Sequence, residues 1–237
     1  MSITTMILGE SGTGKTASLR NMDPSNTALI QAVKKPLPFR SSEWQYFDKG
    51  NCRSGNMFLT DHAPTIINII QKTRRKVIVI DDFQYIMANE FMRRTAERGF
   101  DKFTEIGKNA WDIINAAAAL PDDVRVYILS HIETTEQGRT KIKTIGRMLD
   151  EKIALEGMVS IVLRTLVRDG EYLFSTRNNG SDTTKTPMGL FEPETISNDL
   201  KLVDEAIVAY YSLTPATPTA PLTQPIQSIH TEELHHA

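Results

Sequence analysis

The chain has 237 residues, 40 % of them hydrophobic and 24 % charged, with a formal net charge of −2. That balance fits one large folded domain plus a tail and excludes a global basic field, so any nucleic-acid contact must come from a local patch. A single cysteine, Cys52, excludes an intrachain disulfide and a cysteine-based zinc site, and no apolar run is long enough for a membrane-spanning helix.

In chain order, residues 2 to 8 ("SITTMIL") lack the charged and apolar regions of a secretory signal, and "ITTMIL" reads as a first strand. It runs into a glycine-rich loop. "TASLRNM" then predicts a helix that stops before Asp23-Pro24, and "TALIQAV" a second strand. Residues 34 to 56 are rich in Lys, Pro, Ser and Gly and predict irregular chain. "MFLT" is a short strand and "APTIINIIQKT" a helix, closed by the basic run "KTRRK", where cations favour a helix C-terminus. "KVIVIDD" has the continuous apolar character of a strand buried on both faces of a parallel sheet. Between Phe83 and Leu120 there is no proline. There Phe103, Ile106, Ala110, Ile113 and Ala117 recur at helical spacing. "VRVYILSH" predicts another buried strand, and "GMVSIVLRTLV" and "EYLFSTR" a hairpin turning at Asp169-Gly170. Leu200, Val203, Ile207 and Tyr210 mark a last helix. Both tryptophans, Trp44 and Trp111, read as packing residues. The expected fold is α/β, with a mainly parallel central sheet and a late antiparallel hairpin over residues 1–213. Residues 214–237, rich in Thr, Pro, Ala and Gln, predict a disordered tail whose histidines could hold metal only weakly.

The loop carries the chemistry. Gly9-Glu10-Ser11-Gly12-Thr13-Gly14-Lys15-Thr16 fits G-x-x-x-x-G-K-[ST] in full, with Ala17 following. Glycines let successive N–H groups turn inward toward phosphate oxygens, and a following helix would add its positive end. Lys15 can reach the outer phosphates, and Thr16 can place its hydroxyl on Mg²⁺. Asp81 ends a buried strand about 65 residues later, where a carboxylate for nucleotide-bound Mg²⁺ is expected. Asp82 either activates the attacking water or caps the helix from Phe83. Glu10 is a third candidate acid. Ser130 and His131 end the next buried strand, where ligands gather in open parallel sheets, so His131 is a candidate phosphate sensor or simply the point where the strand surfaces.

"GESGTGKT", "VIVIDD" and "ILSH" in this order resemble the RecA-like branch of P-loop ATPases. "TIGRMLDEKIALEGMVSIVLRT", "NNGSDTTKTPMGLFEP" and "NDLKLVDEAIVAYY" are similar to segments of small phage-encoded nucleotide-binding, AAA-family ATPases, whose relatives include RecA-like single-strand annealing proteins. The resemblance spans residues 3 to 212. It implies a RecA-like core, ATP with Mg²⁺, single-stranded DNA as a partner, self-association, and a cytoplasmic site of action, that of the host cell. It also directs attention to loops near the sheet centre as DNA contacts: "RRTAERGFDK" at 93–102, and residues 133 to 147, which carry Arg139, Lys141, Lys143 and Arg147. Such runs are also common as solvated loops. Finally, it implies a nucleotide shared between subunits, for which Lys185, braced by Pro187, and Arg177 are the candidate cations acting in trans. Two other readings stand beside the ATPase. One is a P-loop small-molecule or nucleotide kinase, with Arg93 to Arg98 as its lid. The other is a nucleotide-gated adaptor that recruits replication or recombination proteins through its tail.

Overall fold

Alternation along four buried strands builds this molecule from the inside. The computed structural model describes residues 1–146, 149 and 152–213. In it, β1 (Ile3–Leu8), β2 (Thr27–Gln31), β4 (Val77–Asp81) and β5 (Arg125–Ser130) are central strands of a sheet ordered β10-β9-β8-β1-β5-β4-β2-β3. Edge strand β3 is Met57–Leu59; β8 (Ile161–Arg168), β9 (Glu171–Ser175) and β10 (Thr195–Ser197) complete the other side. All pairings from β8 to β3 are parallel, while β9 is antiparallel to both its neighbours.

Successive side chains point to opposite faces, so each central strand feeds two cores. Met6, Leu8, Ile78, Ile80, Val126 and Ile128 meet α1 (Ala63–Lys72), α2 (Phe83–Arg93) and α3 (Asp101–Ala118) on one face. Ile7, Val77, Val79, Tyr127 and Leu129 meet Trp44 and α4 (Leu200–Tyr210) on the other. The expected helical stripe appears as buried Ile106, Ala110, Ile113 and Ala117 on α3. The hairpin between β8 and β9 turns on Asp169 and Gly170, with φ of 53° and 80°, as a two-residue turn with both centres left-handed requires.

Several expectations are corrected. After the glycine-rich loop, the expected helix takes the form of a six-residue 3₁₀ helix, Thr16–Asn21. The Pro-free stretch holds the helix expected from Phe83 and the one expected around Phe103–Ala117, separated by residues 94–100. Residues 133 to 147 are not a plain loop: β6 (Ile132–Thr134) and β7 (Thr140–Ile142) pair as an antiparallel hairpin. Trp111 is 42 % exposed, unlike core residue Trp44. Of the basic run after α1, Lys72 alone lies in the last turn; Arg75 donates to the carbonyls of Ser54 and Gly55, and Lys76 pairs with Asp123. Among the described residues no helix is long and apolar enough to cross a membrane. The tail over 214–237 and Arg147 lie outside the described residues.

Candidate functional site

Register brings the polar strand ends together. Leu8 stands opposite Ser130, and Gln31 opposite Asp81, so β1, β5, β4 and β2 end at one level. Ligands of open parallel sheets gather beyond such an edge. The glycine-rich loop leaves β1 there, and the Gly9 N–H donates to the Ser130 carbonyl at 3.2 Å. Gly9 has no room for a side chain, since a Cβ would fall 1.7 Å from the Thr165 hydroxyl of β8. The Thr13 and Thr165 hydroxyls meet at 2.5 Å, fastening the loop to that strand. Gly14 is left-handed, with φ of 94°, and a Cβ there would press on Tyr172 and Asn198 at 3.0 Å.

Lys15 is buried, and its ammonium donates to the carbonyls of Gly9 and Glu10 at 2.8 and 2.7 Å. Burial lowers its pKa to about 8, against the pull of Asp82 and Asp81. The Thr16 hydroxyl lies 3.1 and 3.0 Å from the two carboxylate oxygens of Asp81. Asp81 is fully buried, and burial together with the neighbouring Asp82 charge pushes its pKa up to about 6. Beside them, the Ser130 hydroxyl is buried with no hydrogen-bond partner among the described residues.

Asp82 holds the N-cap position of α2, but its side chain makes no capping bond. The capping alternative thus gives way to a different arrangement. Its backbone is left-handed, with φ of 60°, and its carboxylate pairs with Lys35 and, at 3.7 Å, with His131 Nε2. Burial pushes this carboxyl up, yet the hydrogen bonds of His131 and Lys35 outweigh it and hold the pKa below the ordinary value. His131 also meets the Tyr85 ring edge-on at 5.9 Å.

Ser11, Gly12, Gly14, Lys15, Thr16, Ala17, Asp82 and His131 line one cleft of 520 Å³. Lys35, Pro36, Pro38 and Tyr172 line it too, and sequence reasoning missed all four. Lys35 and the two prolines sit in a stretch that reads as irregular; a lysine beside closely spaced prolines was the available signal. Past Ala17 and Tyr172 a second cavity of 550 Å³ opens between Arg20, Glu171 and Asn198. Glu10 is exposed and faces the adjoining space with Lys143.

The candidate DNA-contacting cations are scattered. Arg139 sits exposed at the hairpin turn, Lys141 pairs with Glu133 across the hairpin at 3.2 Å, and Lys143 borders the cleft. In 93–102, Arg93 pairs with Asp61, Arg94 with Glu90, Glu97 and Glu105, and Lys102 donates to backbone carbonyls. Lys185 bridges Val162 on β8 through its backbone, and with Arg177 it lines a separate cleft of 440 Å³. That cleft shares no lining residue with the phosphate-loop cleft.

The donor set fits a nucleotide-borne Mg²⁺. A hard cation of this kind takes one or two protein oxygens and keeps phosphate and water for the rest. Asp81 and Thr16 supply such oxygens, and the orphaned Ser130 hydroxyl leaves a buried polar group for a bound water. Among the described residues no group of three or more His, Cys, Asp or Glu could hold a metal unaided. A scan of protein-family models finds none that matches the chain, and a search among curated proteins finds no match either.

Proposed function

We propose that the chain is a Mg²⁺-dependent P-loop ATPase with a RecA-like core, acting on single-stranded DNA in phage recombination or replication, as an oligomer. The observation that carries the nucleotide reading is the Thr16 hydroxyl on the buried Asp81 carboxylate, a contact across 65 residues, beneath the cleft that Thr16 and Lys15 line. Two halves of a metal-triphosphate site lie far apart in sequence and meet in one place. The strand order supports the core reading: β5 lies between β1 and β4 and delivers Ser130 and His131 between loop and acid.

In this reading Lys15 and the loop N–H groups hold phosphate charge, and Thr16 and Asp81 hold Mg²⁺. Such a metal would supply positive charge against the phosphates. Asp82 accepts the proton of the attacking water, whose oxygen takes the terminal phosphoryl group while the diphosphate leaves. Glu10, exposed at the rim, is the weaker candidate. Tyr172, 52 % exposed between the cleft and the second cavity, offers a ring face to a base. The DNA role rests on the resemblance and on Arg139 at the hairpin turn. The oligomer rests on the resemblance and on Lys185 and Arg177, which line a cleft apart from Lys15, Arg177 donating to the Glu192 carbonyl at 2.6 Å.

Phosphate release from Mg·ATP, with and without single-stranded DNA, tests the proposal. Lys15→Ala is expected to fold normally and lose at least about tenfold in turnover, roughly 1.4 kcal/mol in the transition state. Near-normal turnover in a folded Lys15→Ala protein overturns the ATPase, and a rate per molecule independent of protein concentration removes the shared site.

A further inference from the structure

Asp82 is the acid placed to take a proton from water, yet it is already engaged. One of its oxygens pairs with Lys35, the other lies 3.7 Å from His131. The two partners differ in how they are held. His131 ends a buried strand and packs against Tyr85. Lys35 stands four residues beyond β2, on a loop whose backbone is braced: Gln31 donates to the Lys35 carbonyl at 3.4 Å, and Tyr46 donates to Gln31 at 2.6 Å. Pro36 and Pro38 stiffen the same loop. Its backbone is therefore fixed while its side chain is not, being 39 % exposed against 4 % for Asp82. A lysine is a point charge on a flexible stem, so the Lys35 ammonium can swing to another anion within reach without moving its backbone.

Position gives Lys35 a second partner. It lines the same cleft as Lys15 and Thr16 and also borders the adjoining space with Glu10 and Lys143. Lys15 is occupied by the loop carbonyls, whereas the Lys35 ammonium pairs with a single carboxylate, that of Asp82. A terminal phosphate brings more negative charge than that carboxylate and offers several acceptor oxygens.

We propose that Lys35 recognises the terminal phosphate in cis: it leaves Asp82 for the γ-phosphate and, by leaving, uncovers the carboxylate that takes the proton from water. The inference rests on the nucleotide reading of this cleft. It makes Asp82 available only when a triphosphate is present; a diphosphate leaves the Lys35–Asp82 pair in place. It also separates the roles of two lysines in one cleft, Lys15 for the phosphates in common and Lys35 for the last one.

Equilibrium binding of Mg·ADP and of the non-hydrolysable Mg·AMP-PNP tests it, on wild type, Lys35→Ala, Lys35→Met and Lys35→Arg, with folding checked by circular dichroism. The preference for the triphosphate over the diphosphate is expected to fall at least about tenfold in Lys35→Ala and Lys35→Met and to recover partly in Lys35→Arg. Affinity for Mg·ADP should stay within about twofold of wild type. An unchanged preference in folded Lys35→Ala overturns the proposal while the nucleotide reading stands. Wild type that binds neither nucleotide overturns both.

Discussion

Both ends of this sheet bury charge, and they do it in opposite ways. At the start of β5, away from the cleft, Arg125 donates to both carboxylate oxygens of Asp204 on α4, each at 2.9 Å, and the Tyr127 hydroxyl adds a third bond at 2.6 Å. Every charge there has a partner of opposite sign, and Arg125 is held above its ordinary pKa despite burial, because Asp204 answers it. At the carboxyl ends of the same strands, two adjacent aspartates share a buried corner, a lysine spends its charge on backbone carbonyls, and Ser130 has an orphaned hydroxyl. Asp81 and Lys15 shift there toward their neutral forms. One end is settled without any ligand. The other leaves its charges and a hydroxyl poorly matched, as sites that take a ligand do, which is what the proposed function requires of it.

The contrast breaks most visibly at the settled end. Asp204→Ala strands a buried guanidinium and is expected to cost roughly 3–5 kcal/mol, read as a fall in the urea midpoint. Asp81→Asn should do the reverse. The Asp81 pKa of about 6 lies above its ordinary 3.8, so ionisation destabilises the fold once pH exceeds the ordinary value, in full above about 6. A neutral amide should therefore raise stability by roughly 1–3 kcal/mol at pH 7.5, fading toward pH 4, while Mg²⁺-dependent turnover collapses. Urea titrations at the two pH values check the first half; a stability loss at pH 7.5 would show that Asp81 serves the fold.

The smallest effect concerns Lys15. Its folded pKa of about 8 lies below 10.5, so the unfolded chain holds the proton longer and stability rises with pH between these values. Phosphate binding needs the charged form. Affinity for inorganic triphosphate is thus expected to decline above pH 8, by at most about tenfold per pH unit, and to be flat across that range in Lys15→Met. Calorimetric titrations from pH 7 to 9.5 measure it.

The strands and most of the site were legible because each depends on local pattern. Val77 to Ile80 reads as a strand buried on both faces, and the pattern G-x-x-x-x-G-K-[ST] singles out Lys15 and Thr16 at once. Lys35 was not legible, since nothing local tells a loop lysine that faces Asp82 from one that faces water. The 3₁₀ turn after Lys15 escaped as well: the segment has helical pattern, but α4 packs on it and Arg20 and Asn21 bond to Asn198 and Asp199, at the start of α4. The β6–β7 hairpin hid behind its charges. Its pairing joins Lys141 to Glu133 and buries Ile142, a contact that only the folded chain reveals.

That hairpin has a mechanical meaning. His131 is the residue before β6, and the Lys143 N–H just after β7 returns to the His131 carbonyl at 2.9 Å. Both ends of the hairpin are therefore anchored at one peptide, whose side chain lies against Asp82. A rigid ribbon rooted in this way is a handle on the cleft. With a nucleotide in the cleft, as the proposed function has it, any free energy by which that ligand favoured one hairpin position would return, in equal amount, as a change in its affinity when something grips the turn at Arg139.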